Sequence, residues 1–148
     1  SKIVAYSQGF DEIRAGAARY DWNIDLGAVS KIWRGGCIIR SAFLGNIKDA
    51  FDRDPELPNL LVDPYFAERV QKAQAAWRRV VSTGVIHGIP LPAMSSALAY
   101  FDGYRSARLP ANLLQAQRDF FGAHTYRRID KEGTFHTLWS GDRSEVSE

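Results

Sequence analysis

The run from Asp63 to Thr83 constrains the fold of this chain more than any other stretch. Phe66, Val70, Ala73, Trp77 and Val80 recur every three or four positions. That spacing lines one stripe of an α-helix and is incompatible with the two-residue period of a strand. Asp63-Pro64 opens the run as a cap followed by a first-turn proline. Helical spacing recurs in most of the remaining chain, and no stretch alternates apolar and polar residues well enough to predict a strand. The class read from the sequence is therefore all-α. At 148 residues and 45% apolar content, the chain is long enough to bury a hydrophobic core.

The other helices follow from the same signal. Ile3, Val4, Phe10, Ile13, Ala17 and Tyr20 predict a first helix over Ile3 to Arg19. Asp25 reads as the N-cap of a short helix bearing Leu26, Val29, Ile32 and Trp33, which Gly35 and Gly36 end. The stretch "CIIRSAFLGNIKDAF" predicts a resumed helix with Ile39, Phe43, Ile47 and Phe51 on one stripe. Gly84, Gly88 and Pro90 mark a break after the long helix, with His87 as a turn residue. "PAMSSALAYFDGYRSARL" predicts another helix, whose small residues allow close approach by a neighbour. Pro110 opens the last one, which continues through Leu113, Leu114, Ala116, Gln117 and Phe121. Division into a helical domain, 1–121, and an irregular C-terminal arm, 122–148, is expected. The final "SGDRSEVSE" is small and charged, and is expected to be disordered unless held.

Several function classes are disfavoured. A net charge of +2 is too small to argue for nucleic acid or an anionic membrane. No apolar run approaches the roughly 20 residues of a membrane span. Cys37 is the only cysteine, so no internal disulfide forms, and a reducing compartment is expected. Cys37 itself reads as a buried packing thiol in an apolar run. His87, His124 and His136 lie far apart without carboxylates or cysteines at ligand spacing, so no metal site is expected. "RGGC" follows a helix, lacks the dinucleotide-binding pattern, and reads as a tight junction. Arg78-Arg79 and Arg127-Arg128 are short runs that a solvated face or an ion pair explains. The chain starts without methionine, and helical spacing is already under way at Ile3. A piece of a larger protein is expected, with a processed natural terminus as the alternative.

Arg118 and His124 stand apart. Arginine presents a planar fork to phosphate or carboxylate oxygens, and histidine adds a donor or a second charge. Gly122 lies between them and can turn the chain, so both could face one anion. The plainer alternative is that Arg118 pairs with a carboxylate and His124 caps the helix C-terminus. The helix dipole gives no help, because its C-terminal end is negative.

Three long stretches carry a resemblance: "IWRGGCIIRSAFLGNIKDAF", "GIPLPAMSSALAYFDGYRSARLPANLLQAQRDFFGAHTYRRID" and "KEGTFHTLW". They closely resemble the C-terminal helical domain of decarboxylating 6-phosphogluconate dehydrogenases, from about Ile3 to Trp139. The resemblance implies the second helical half of that domain plus its tail. It implies an NADP-dependent, cytoplasmic oxidoreductase of the pentose phosphate pathway and gluconate utilization, converting 6-phosphogluconate to ribulose 5-phosphate and CO2. It also implies a homodimer with tail exchange, in which Arg118 and His124 contact the substrate phosphate in the partner's active site.

By the same resemblance, the catalytic lysine and glutamate lie upstream, so no catalytic residue is assigned in this chain. NADP is expected to bind mainly to an N-terminal domain absent here, and no cofactor-binding residue is assigned. Whether the tail touches NADP stays open, because "DRSEVSE" departs from the family pattern. The 148 residues alone are expected to be inactive. A stand-alone helical interaction module is the alternative. A nucleic-acid-binding arm is disfavoured by the modest charge and the lack of a matching fold signature.

Overall fold

The computed structural model describes residues 1–147. Six α-helices follow in order: α1 Lys2–Tyr20, α2 Leu26–Ile32, α3 Leu44–Arg53, α4 Pro64–Ile86, α5 Pro92–Tyr104 and α6 Asn112–Gly122. A 3-10 turn at Leu60–Val62 precedes α4, and three short strands follow α6: β1 Tyr126–Arg127, β2 Thr134–Thr137 and β3 Glu145–Ser147. The chain is thus all-α with a small sheet at its end. No helix among the described residues is long and apolar enough to cross a membrane. The chain forms two compact units, Ser1–Arg105 and Ser106–Glu148. The expected boundary after residue 121 falls inside the second unit, because α6 packs on β1 and β2.

In the first unit, helical periodicity is converted into two apolar clusters. Tyr6 and Phe10 of α1 join Leu44, Ile47, Ala50 and Phe51 of α3, with Leu57, Leu60 and Phe66. Val4 of α1 joins Leu61, Val70, Trp77 and Ala97 from the 3-10 turn, α4 and α5. Burying one such side chain is worth about 1.5–3 kcal/mol, so these stripes fix how the helices pack. Asp63 caps α4 as expected: its carboxylate accepts from the amides of Tyr65 and Phe66 and pairs with Arg53. Arg78 grips Asp102 with both terminal nitrogens, and the Trp77 indole donates to the Met94 carbonyl at 3.1 Å, tying α4 to α5.

A polar network crosses the same unit. The Ser7 hydroxyl donates to Asn59 Oδ1 at 2.5 Å, and Asn59 Nδ2 donates to Asp11 and to the Tyr100 oxygen. The Tyr100 hydroxyl in turn donates to Asp11 Oδ2 at 2.7 Å. Burial, reinforced by the bond to Asp11, pushes the Tyr100 phenol up to about 12. Ser7 and Asn59 are buried, and satisfying both removes the cost of leaving polar groups dry. The network joins α1, the 3-10 turn and α5 in one register.

Some expectations are corrected. The helix after Gly36 starts only at Leu44. Residues 37–43 follow tight turns, with Arg40 N–H donating to Cys37 O and Leu44 N–H to Ser41 O. Ile38 and Ile39 are exposed there, and Cys37 is half-buried rather than buried. Gly84 does not break α4. A Cβ at this position would overlap Leu91 Cδ1, so glycine permits close packing inside the helix. The break comes at His87, which caps α4, and at Gly88 with φ +66°. Pro110 precedes α6 by two residues instead of opening it.

The otherwise irregular arm carries three short strands. β1 pairs antiparallel with β2 through Tyr126 opposite Phe135, and β2 pairs antiparallel with β3 through His136 opposite Val146. Within the closing stretch, residues 145–147 join the sheet as β3, and Glu148 lies outside the described residues. The Tyr126 hydroxyl meets Thr137 Oγ1 at 2.8 Å and donates to Glu145 at 2.7 Å, and Arg128 pairs with Glu145 and Asp130. Strands of two to four residues are too short for alternation to show in the sequence.

Candidate functional site

Gln115 and Asp119 lie one turn apart on α6 and therefore share a face. Asp119 is fully buried, an unusual place for a carboxylate. Four donors satisfy it. Oδ1 accepts from the Thr125 amide at 3.0 Å and faces His136 Nδ1 at 2.9 Å. Oδ2 accepts from the Thr137 amide at 3.0 Å and the Trp139 indole at 2.8 Å. Burial alone would raise the Asp119 pKa. The bonds from the Thr137 amide, His136 and Trp139 outweigh it and hold the carboxyl down at about 2. Asp119 thus fastens the turn after α6, β2 and Trp139 to one helix.

That turn is unusual. Ala123 has φ 49° and Thr125 has φ 60°, both in the left-handed region that residues with a Cβ avoid. For a β-branched threonine the conformation persists only when its surroundings impose it. Here they do: Asp119 accepts from the Thr125 N–H, and Gln115 Nε2 donates to the Thr125 carbonyl at 2.6 Å. Both ends of this residue are clamped by side chains from one face of α6.

His124 sits between the two left-handed residues. Its imidazole lies over Gly122, so close that a Cβ on Gly122 would stand 2.9 Å from Nε2 and 3.1 Å from Cδ2. Arg118 is four residues before Gly122, hence on the same helix face, about 5–6 Å away along the stripe. The turn therefore brings the His124 ring over the face that carries Arg118. Both residues are exposed, and neither side chain makes a hydrogen bond or ion pair with another described residue. The α6 C-cap is Ala123, whose N–H donates to the Asp119 carbonyl at 2.9 Å.

Two donor side chains on one exposed face, each without a partner among the described residues, can take an anion from two sides. The guanidinium supplies a permanent charge and a bidentate fork, and the imidazole adds a further donor. Both must act against the negative end of α6. Of the basic pair that follows, Arg128 is engaged with Asp130 and Glu145. Among the described residues, no three histidine, cysteine, aspartate or glutamate side chains are grouped to hold a metal ion. Gln115, Asp119 and Gly122 were not singled out as site residues from the sequence. The spacing of Gln115 and Asp119 was a usable signal: two polar residues one turn apart, immediately before a glycine break.

A family model described as 6-phosphogluconate dehydrogenase, C-terminal domain, matches residues 1–139. The chain is 55% identical over 148 residues to the Rattus norvegicus protein named 6-phosphogluconate dehydrogenase, decarboxylating, covering 99% of this chain and 31% of that one. It is 58% identical over 139 residues to the Bacillus subtilis protein named 6-phosphogluconate dehydrogenase, NADP(+)-dependent, decarboxylating, covering 94% and 30%. Among solved structures, that of Plasmodium falciparum 6-phosphogluconate dehydrogenase superposes with a TM-score of 0.84 at 43% identity, covering 93% of this chain and 29% of that one. That protein's structures are described as apo, with its cofactor NADP+, and with its substrate 6-phosphogluconate. The chain thus spans about 30% of the length of these relatives. By the extent of the family match and by its fold, the chain belongs to the 6-phosphogluconate dehydrogenase family, as a C-terminal domain of that family.

Proposed function

We propose that this chain is the C-terminal part of a cytoplasmic, NADP-dependent oxidoreductase of the pentose phosphate pathway. The whole enzyme oxidatively decarboxylates 6-phosphogluconate to ribulose 5-phosphate and CO2. This part supplies dimerisation, and its arm, 122–148, docks on the partner subunit. Arg118 and His124 then reach the partner's active site and bind the substrate phosphate. The names of the rat and Bacillus relatives, and the substrate and cofactor of the Plasmodium protein, support the activity. Docking of the arm is supported by the apolar side chains that α6 leaves exposed, among them Leu113, Leu114, Phe120 and Phe121.

The residues present do not fit a dinucleotide. No glycine-rich turn leads from a strand into a helix among the described residues, since all three strands follow the last helix. NADP is therefore assigned mainly to a part of the enzyme outside this chain, and so are the catalytic groups.

One observation carries the role of the arm: Arg118 and His124 share one exposed face, with no side-chain partner among the described residues. The test is steady-state kinetics of Arg118→Ala in the full-length enzyme. Loss of a charge-assisted bond to phosphate is worth about 1.5–3 kcal/mol, so KM for 6-phosphogluconate rises roughly ten- to a hundredfold while KM for NADP stays within about twofold. An unchanged KM for the sugar phosphate removes Arg118 from the substrate site.

A further inference from the structure

We propose that Gly122 is a positioning residue: the absence of a side chain there forms the seat on which the His124 imidazole is held ready for the phosphate end of a phosphorylated sugar acid. This rests on the reading of His124 as a phosphate contact.

The usual reason for glycine at the end of a helix does not apply. Gly122 is the last residue of α6, and the left-handed position belongs to Ala123. Glycine costs helix stability relative to alanine, so the backbone gains nothing from it here. What the missing side chain provides is space. A Cβ would stand 2.9 Å from His124 Nε2, 3.1 Å from Cδ2 and 3.6 Å from Cε1, so it would meet the ring itself.

The main chain cannot retreat to relieve such a contact. Ala123 and Thr125 are both held in the left-handed region, and Thr125 is clamped at its N–H by Asp119 and at its carbonyl by Gln115. The free degree of freedom is the His124 side chain. A methyl group at 122 therefore turns the imidazole off its seat and away from the stripe that carries Arg118. Binding loses a donor that is already in place, and the ring must be re-ordered each time substrate arrives.

This predicts an unusual pairing of effects for Gly122→Ala in the full-length enzyme. KM for 6-phosphogluconate rises about as much as in His124→Ala, roughly tenfold. KM for NADP stays within about twofold, and Tm does not fall. The double variant Gly122→Ala/His124→Ala matches His124→Ala alone, because the seat has no purpose without the ring. Should His124→Ala leave KM unchanged, the phosphate-contact reading fails, and the seat with it. Should His124→Ala impair binding while Gly122→Ala does not, that reading stands and the seat is refuted. Multiplying effects in the double variant, near a hundredfold, would overturn it as well, since Gly122 would then act elsewhere. A fall in Tm for Gly122→Ala would show a packing contact of the fold, and would also overturn it.

Discussion

Asp119 holds Thr125 by a hydrogen bond of 3.0 Å from the Thr125 amide to its carboxylate, closing the turn that carries His124. The same carboxylate takes the Thr137 amide and the Trp139 indole, so one buried side chain organises both the turn and the central strand.

Asp119→Asn tests that role. The variant is nearly isosteric, but one oxygen becomes an NH2 group facing N–H donors on either side. At least one backbone amide loses its acceptor and a donor is left opposite a donor. The expected cost to the C-terminal unit is about 2–4 kcal/mol. Hydrogen exchange reads it directly: the Thr125 and Thr137 amides of the full-length enzyme lose protection, while those of α1 and α4 keep theirs. Equal protection in variant and parent at Thr137 would show that the carboxylate is not what fastens β2.

The depressed pKa of Asp119 gives this contact a pH signature. Its folded value, about 2, lies below the ordinary value of about 3.9 for an unfolded aspartate. The contribution is therefore complete above the unfolded value and is lost as pH falls toward 2. Protection at Thr137, corrected for intrinsic exchange, is expected to be insensitive to Asp119 titration between pH 8 and 5, and to decline below about pH 4. In Asp119→Asn the decline from this source disappears. A loss of the Asp119-dependent part of the protection already between pH 7 and 5 would contradict a carboxylate held by four donors.

These features were unevenly legible. Long helices with many apolar positions were clear, and so were the caps at Asp25 and Asp63, because the cap chemistry is local. Arg118 and His124 stood out by residue type and by the glycine between them. Asp119 did not, because a carboxylate in a polar stretch reads as solvated until the sheet that buries it is known. In the sequence Gly122 reads as a point where the chain turns; its contact with the imidazole depends on the left-handed turn that follows. The strands were missed because Tyr126, Thr137 and Glu145 are brought together by pairing across 8 to 19 residues. Ile38 and Ile39 misled in the other direction, since an apolar run carried by tight turns looks like a helix until its hydrogen bonds are seen.

Asp63→Ala is expected to lower unfolding free energy by about 1–2 kcal/mol, the usual cost of a lost N-cap. The side chain serves the amides of Tyr65 and Phe66 at the start of the helix that spans both apolar clusters. Denaturant unfolding of the full-length enzyme checks it, with KM for 6-phosphogluconate as control. A change in KM comparable to that of Arg118→Ala would mean that Asp63 affects substrate binding and not only the start of α4.

The 148 residues expressed alone are expected to self-associate and to show no NADP-dependent turnover. Ile38, Val85, Ile86, Leu113 and Phe121 are each more than 70% exposed. Apolar side chains in that number attract a partner surface. Light scattering across a wide concentration range is the measurement. A clean monomer throughout counts against the docking role, and turnover above a blank counts against catalytic groups outside this chain.

The most discriminating test of the arm uses mixed dimers. If the whole enzyme is a dimer in which Arg118 serves the partner's active site, each site combines one subunit's catalytic groups with the other subunit's Arg118. An Arg118→Ala subunit paired with a subunit inactivated at the catalytic lysine that the family resemblance implies upstream then leaves one site with both defects and the other with neither. Mixing the two variants is expected to restore activity in proportion to the heterodimer formed, up to about one intact site per mixed dimer, with a KM for 6-phosphogluconate near that of the parent enzyme. If Arg118 serves its own subunit instead, every site in the mixed dimer carries one defect. One site then lacks the lysine and the other keeps the raised KM, so mixing restores no normal-affinity turnover. The two geometries therefore differ in KM and not only in rate, and heterodimer formation verified by native mass spectrometry makes either outcome decisive.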